Sequence, residues 1–401
     1  MRNTTATNLF LLLLGLSLFS GGTVVSAQNQ AKPTNLIGVP VIVTDANGRY
    51  VSDLQQTDFE IFEDNVKQNV VSFMSVSAPF SVVLLLDTSV STQEKLGDIR
   101  RAAQAFVDQL AKADRIKVIT FDDQVRELSE FSADRAVIKK AISNIQPGYS
   151  TKFYDGMNVA LEALREVDGR KAIVIFSDGV DYRSDYATEE GTLRSLEQDG
   201  VVVYPIRFST RVAAERLARE QAGASAPREV VRSNSPTRDS VPGEVPTSTP
   251  RTGPLGLPSP EEILRGRRAD PRNRLPPTNG PPGEVGSDIP NGRPDPRVSS
   301  RSRERKQPTD DPIKTNLDRL YGTADTYLQA VADKSGGAVL RADDISTLPA
   351  AFSQIAAQLR AQYFIAYESS NKTRNDQFST IKVSTTRTGL TIRARAGYRH
   401  K

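Results

Sequence analysis

A chain of 401 residues with no cysteine and one histidine, His400, excludes disulfide frameworks, thiolate metal sites, cysteine nucleophiles, lipidated cysteine anchors and centres that depend on several histidines. Its 52 Lys and Arg against 48 Asp and Glu leave a formal charge of +4, and most of that surplus falls between Arg211 and Lys306. The remainder is near neutral, and no P-loop, dinucleotide fingerprint or nucleic-acid module is present, so no nucleic-acid partner is expected.

In chain order, residues 1–27 read as a secretory signal peptide: Arg2 supplies the charged region, Leu9 to Phe19 the apolar core, and Val25-Ser26-Ala27 the small residues before Gln28. Cleavage near Ala27 predicts a secreted or periplasmic protein of a bacterial envelope, and a retained N-terminal anchor is the alternative. No later stretch reaches the run of about 20 apolar residues that a spanning helix needs, so no transmembrane span is expected in the mature chain.

Residues 28–78 carry a β pattern. Val39, Val41 and Val43 alternate with small or polar residues, Asn47-Gly48 and Asp64-Asn65 mark turns, and Phe59-Glu60-Ile61-Phe62 opens another strand. A similar signal returns in residues 362–401, at Tyr363 to Glu368, Gln377 to Thr385 and Leu390 to Ala396. Neither piece is long enough to be secure alone, which predicts that the two ends pair into one small β-sandwich.

Between them, in 79–361, strand and helix alternate. Ser81 to Leu86 is a continuous apolar strand, followed by a helix with Leu96, Ile99, Ala103, Phe106 and Leu110 on one face. Strand Ile116 to Phe121, helices Val137 to Ile145 and Asp155 to Val167, strand Lys171 to Phe176, helix Glu189 to Gln198 and strand Val201 to Ile206 continue the pattern. It resumes with helix Leu317 to Ala332, strand Ala338 to Arg341 and helix Leu348 to Ala361. This predicts an α/β fold, a doubly wound, mostly parallel sheet inserted in the sandwich formed by the two ends. The insertion at about 211–314 is rich in Pro, Gly, Ser and Arg, which predicts disorder, with a transient helix at Glu261 to Arg265 and contact with anionic envelope polymers as further readings.

Three short segments sit where strands end. Asp87-Thr88-Ser89-Val90-Ser91 offers a carboxylate and two hydroxyls to one ion, Thr151 adds a third hydroxyl, and Asp178 in Ser177-Asp178-Gly179 adds a second carboxylate. These hard oxygen donors suit Mg²⁺, with Mn²⁺ or Ca²⁺ as substitutes. An ion left electrophilic by neutral hydroxyl ligands accepts an outside carboxylate, which predicts a protein ligand presenting Asp or Glu. Ser91 and Asp155 also read as simple helix caps, and Asp122, Asp123 and Asp181 as solvated loop carboxylates. Tyr149 and Tyr182 are candidates for the rim.

Asp87, Ser89, Ser91, Thr151 and Asp178, in this order and context, resemble the metal-ion-dependent adhesion site (MIDAS) of the von Willebrand factor A (VWA) domain, also known from integrin I domains. The resemblance covers about Pro79 to Ala361 without the insertion, and implies a Rossmann-like sheet with the metal at its top. The flanking pieces, with Val41 to Asp45, Asp58 to Asp64 and Thr391 to Tyr398, resemble secreted VWA-related bacterial proteins common in acidobacteria. The implied function is a non-enzymatic, metal-dependent adhesion or protein-binding module. Two other readings stand beside it: an aspartic hydrolase using Asp87 and Asp178, and a scaffold protein with a vestigial metal site.

Overall fold

The computed structural model describes residues 36–224, 311–371 and 375–401. The signal peptide and residues 225–310 of the insertion, with the expected helix at Glu261 to Arg265, lie outside the described residues.

The central sheet is assembled from β5 (Phe80–Asp87), β6 (Arg115–Phe121), β7 (Val125–Glu127), β8 (Arg170–Ser177), β9 (Val202–Arg207) and β10 (Leu340–Arg341). Their order is β10-β9-β8-β5-β6-β7, parallel except for β7 at the edge. Because β5 is apolar throughout, it tolerates cover on both faces. Val82, Leu84 and Leu86 pack with α1 (Leu96–Gln109), α2 (Arg135–Ser143) and α7 (Leu348–Arg360), where Phe106 and Phe352 meet at 5.2 Å. Val83 and Leu85 face α3 (Phe153–Arg165), α4 (Glu189–Gln198) and α6 (Pro312–Ser335). The first strand, β5, pairs with both the second, β6, and a later one, β8, so the chain reverses its winding there. In such sheets the crevice beyond the strands' carboxyl ends at this reversal is the place where ligands are held.

Two antiparallel sheets are made by the two ends of the chain. One runs β13 (Thr391–Ala394), β1 (Leu36–Thr44), β11 (Gln362–Glu368) and β4 (Val70–Met74); the other runs β14 (Gly397–Arg399), β12 (Phe378–Thr385), β2 (Phe59–Glu63) and β3 (Val66–Gln68). Val39, Val41, Ile61, Ile365, Tyr367 and Tyr398 fill the space between them. Tyr363 ties the strand to the loop, accepting from Leu54 N and donating to Val51 O, each at 3.0 Å. Two buried arginines join this β part to the α/β part. Arg170 donates to the carbonyls of Val76, Ala78 and Leu359, while Arg395 donates to those of Glu197 and Asp199. Burial depresses both guanidinium pKa values to about 10.

The expected disorder at about 211–314 is corrected at both ends. Residues Arg211–Ala224 form helix α5, and α6 begins at Pro312, capped by Asp311, whose carboxylate accepts from Ile313 N and Lys314 N. Ala214 and Ala218, four apart on one face of α5, are buried, so a sequence of Ala, Arg and Glu forms a helix because it has a wall to lie on. The strand expected at Ala338 to Arg341 shrinks to Leu340–Arg341, since Gly336, at φ 78°, and Gly337 still terminate α6. Among the described residues, no helix is long and apolar enough to cross a membrane.

Candidate functional site

Register builds the site before any ligand is invoked. Leu86 pairs with Phe176, so the next residues along each strand, Asp87 and Ser177, emerge side by side. Ser177 Oγ donates to Asp87 Oδ2 at 2.8 Å, and Ser89 N donates to Oδ1 at 2.9 Å, fixing the carboxyl plane. Thr92 then donates from N and Oγ1 to Ser89 O, at 3.0 and 2.8 Å, winding Val90–Lys95 into a 3-10 turn. This turn brings the Ser89 and Ser91 hydroxyls within 3.1 Å of each other. Neither serine caps that turn through its side chain, so their oxygens face elsewhere.

The other two loops are laced to this one through the backbone. Gly148 N donates to Thr88 O at 2.8 Å, and Thr151 O accepts from Tyr182 N and Arg183 N at 3.0 and 3.1 Å. A Cβ at Gly148 would lie 2.2 Å from Asp122 Cγ, so only glycine permits that approach. Ser89, Ser91, Ser150, Thr151, Tyr149, Tyr182, Thr210 and Tyr321 line one small cavity. Asp178 adds its carboxyl at the end of β8, where Oδ1 accepts from Val180 N at 3.0 Å and Oδ2 from Thr210 Oγ1. Thr210 and Tyr321, whose hydroxyls are 2.8 Å apart, are missing from the sequence expectation. A signal existed for Thr210, a hydroxyl just beyond the next parallel strand; none existed for Tyr321, which arrives from α6.

Burial, and then the charge of Asp178, push the Asp87 carboxyl up from its ordinary 3.8 to about 7. Asp178 is raised by burial, with the Thr210 hydroxyl, the Val180 N–H and Arg207 opposing it. The Tyr182 and Tyr321 phenols are raised by burial and by the same carboxylates. Ser150 Oγ is buried without a hydrogen-bond partner at this cavity. Asp87 and Asp178 do not themselves line the cavity, but they are close enough to repel each other, and with the lining hydroxyls of Ser89, Ser91 and Thr151 and the orphaned Ser150 hydroxyl they form a donor set that fits a hard dication. No group of three or more His, Cys, Asp or Glu assembles among the described residues, so the donors here are mainly neutral hydroxyls.

The neighbouring acids differ from expectation. Asp122 and Asp181 are buried, not solvated. Asp122 Oδ2 accepts from Thr88 Oγ1 at 2.8 Å and Arg126 Nη1 at 2.5 Å. Asp181 Oδ1 accepts from Phe153 N at 2.9 Å at the head of α3. Asp155 does not cap that helix; it accepts from Asp185 N, Tyr186 N and Ala187 N and pins the following loop. Asp123 is half-buried and receives Tyr149 N at 3.1 Å. Asp122 and Asp181 were misread because loop position implies solvent, whereas here several loops close over one another.

Residues 82–180 match the family model of the von Willebrand factor type A domain. Over 183 residues the chain is 23% identical to the collagen alpha-1(VI) chain of Gallus gallus, covering 38% of this chain and 18% of that one. A von Willebrand factor type A structure from Catenulispora acidiphila is 12% identical and aligns over 87% of this chain and 75% of its own, with a TM-score of 0.40. Proximal thread matrix protein 1 from the mussel byssus, in a structure with a zinc-occupied MIDAS motif, is 20% identical over 34% of this chain and 38% of its own, with a TM-score of 0.31. The chain therefore spans less than two thirds of the collagen and mussel proteins. The matched segment, which contains Asp87, Ser89, Ser91, Thr151 and Asp178 and the reversal point of the sheet, is similar to the von Willebrand factor type A domain over about a quarter of the chain.

Proposed function

We propose that the chain is an exported, non-enzymatic binding module that takes a divalent cation of the Mg²⁺ type through Asp87, Ser89, Ser91, Thr151 and Asp178 and captures a carboxylate of a protein partner. The observation that carries this reading is that two buried carboxyls close enough to repel each other, Asp87 and Asp178, end adjacent segments at the reversal of the sheet beside a cavity lined by the Ser89, Ser91 and Thr151 side chains. A dication held there would supply an electrophile able to accept an Asp or Glu oxygen. The chain's own part is to hold the donors in place: Ser177 and the Ser89 N–H orient Asp87, and the Val180 N–H orients Asp178.

Titration of Mn²⁺, followed by loss of the free-ion EPR signal, tests the metal. Binding reversed by EDTA and abolished in Asp87→Ala is expected, and binding indifferent to Asp87→Ala would overturn the reading. A polyglutamate probe tests the partner: its capture is expected to require Mg²⁺. The hydrolase alternative uses the same carboxyls, and the pKa of Asp87 is its one supporting observation. Their separate hydrogen-bond partners weigh against a shared proton, and acid-pH peptide cleavage lost in Asp178→Asn would restore it.

A further inference from the structure

Helix α5 begins immediately after Thr210 and lies on the site. Ala214 and Leu217, nearly one helical turn apart, line the same cavity as Ser89, Ser91 and Thr151. Beneath them the cavity measures about 10 Å³, room for about one water molecule. A partner carboxylate, with three heavy atoms and a chain behind it, does not fit in that volume, whose walls include Ala214, Leu217, Tyr182 and Tyr321. In the same arrangement the Thr210 hydroxyl occupies Asp178 Oδ2.

The attachment of α5 is light compared with that of the helices flanking the sheet. Among its described side chains, Ala214, which packs against Val180, Leu317, Tyr321 and Ala324, and Ala218 are buried, while Val212 is 84% exposed. Ion pairs fasten it to α6, Arg211 with Asp318 and Arg219 with Asp311, and all four side chains are partly solvated. Such exposed pairs add little each, so the helix belongs to the low-stability part of the molecule.

We propose that α5 is a lid that closes the VWA site to outside carboxylates and must lift before a partner is engaged. The claim rests on the metal-site reading for its consequence but not for its geometry. With the lid down, the apparent affinity for a carboxylate probe falls by the fraction of molecules that are open. Lifting α5 also withdraws Thr210 and frees Asp178 Oδ2.

Because the chain has no cysteine, Ser150→Cys places a single thiol inside the cavity. Its labelling rate by a soluble disulfide reagent, in metal-free protein, reports access directly. Arg211→Glu, which sets two negative charges against each other at Asp318, is expected to speed labelling at least about tenfold, and the charge swap Arg211→Glu with Asp318→Arg to return it towards the parent rate. Equal rates in the three backgrounds would overturn the lid. Mn²⁺ titration of the same backgrounds without the cysteine separates the two claims. Binding in each supports the metal site beneath the lid; no binding in any of them, together with lid-dependent labelling, keeps the lid and overturns the metal reading.

Discussion

Asp87 carries opposite demands on stability and on metal capture. Its folded pKa is raised, so its contribution to stability is complete below about 3.8 and is lost as pH rises through about 7. In EDTA, the melting temperature of Asp87→Asn is therefore expected to exceed that of the parent at pH 8, with the gap narrowing by pH 5, as read by scanning fluorimetry. Mg²⁺ competes with the proton, so its stabilisation of the parent is expected to be larger at pH 8 than at pH 5. Ser177 is a positioning residue for the carboxyl; Ser177→Ala is expected to weaken Mn²⁺ binding by about 10–100-fold without removing a ligand. At this scale Asp87, Ser89, Ser91 and Asp178 were legible as candidate ligands because they follow β5 and β8, whose apolar runs are unmistakable, whereas Thr151 follows the loop after α2. Asp122, Asp181 and Thr210 were not, since their environment is created by loops that meet only in three dimensions.

Among the elements, β5 and β8 were readable from Val82 to Leu86 and Ala172 to Phe176, and α1 from its apolar spacing. Helix α5 was not readable. Ala, Arg and Glu in the sequence from Arg211 give no strong apolar stripe, and the Pro-rich composition that follows outweighed a short face of two alanines. The loop after β8 also depends on one residue that composition alone does not single out. Gly179 has φ +77°, and a Cβ there would lie 2.7 Å from Leu328 Cγ of α6. Gly179→Ala is expected to cost about 1–3 kcal/mol in urea unfolding and to displace Asp178 beside it, so metal affinity falls with stability. A variant that loses stability alone would show that the aspartate loop is less rigidly tied to α6 than its packing implies.

At the scale of the whole molecule, the two β pieces were legible as strands. Their distribution between two sheets was less so, because Leu390 to Ala396 reads as one strand while the chain crosses between sheets near Arg395. That crossing is where Arg395 turns inward to the carbonyls of Glu197 and Asp199. Arg170 performs the matching task on the other side, with its guanidinium 3.8 Å from the Phe80 ring centroid. Arg170→Met keeps the apolar stem but leaves the carbonyls of Val76, Ala78 and Leu359 without their donor. It is expected to cost about 3 kcal/mol or more, measured by chemical denaturation.

The antiparallel pairing of β1 with β13, Val41 opposite Ala394 and Thr44 opposite Thr391, has a mechanical corollary. The two strands leave this ladder at the same end, towards Leu36 on one side and Arg395 on the other. Tension applied to residues 36 and 401 would load β14 against β12 at one end and β1 against β11 at the other, and would reach the β1–β13 ladder at Val41 and Ala394, to open it like a zipper one rung at a time. The α/β part shares that load from the start, because β11 runs straight on from α7 and because Arg399 and Lys401 pair with Glu197 and Asp199.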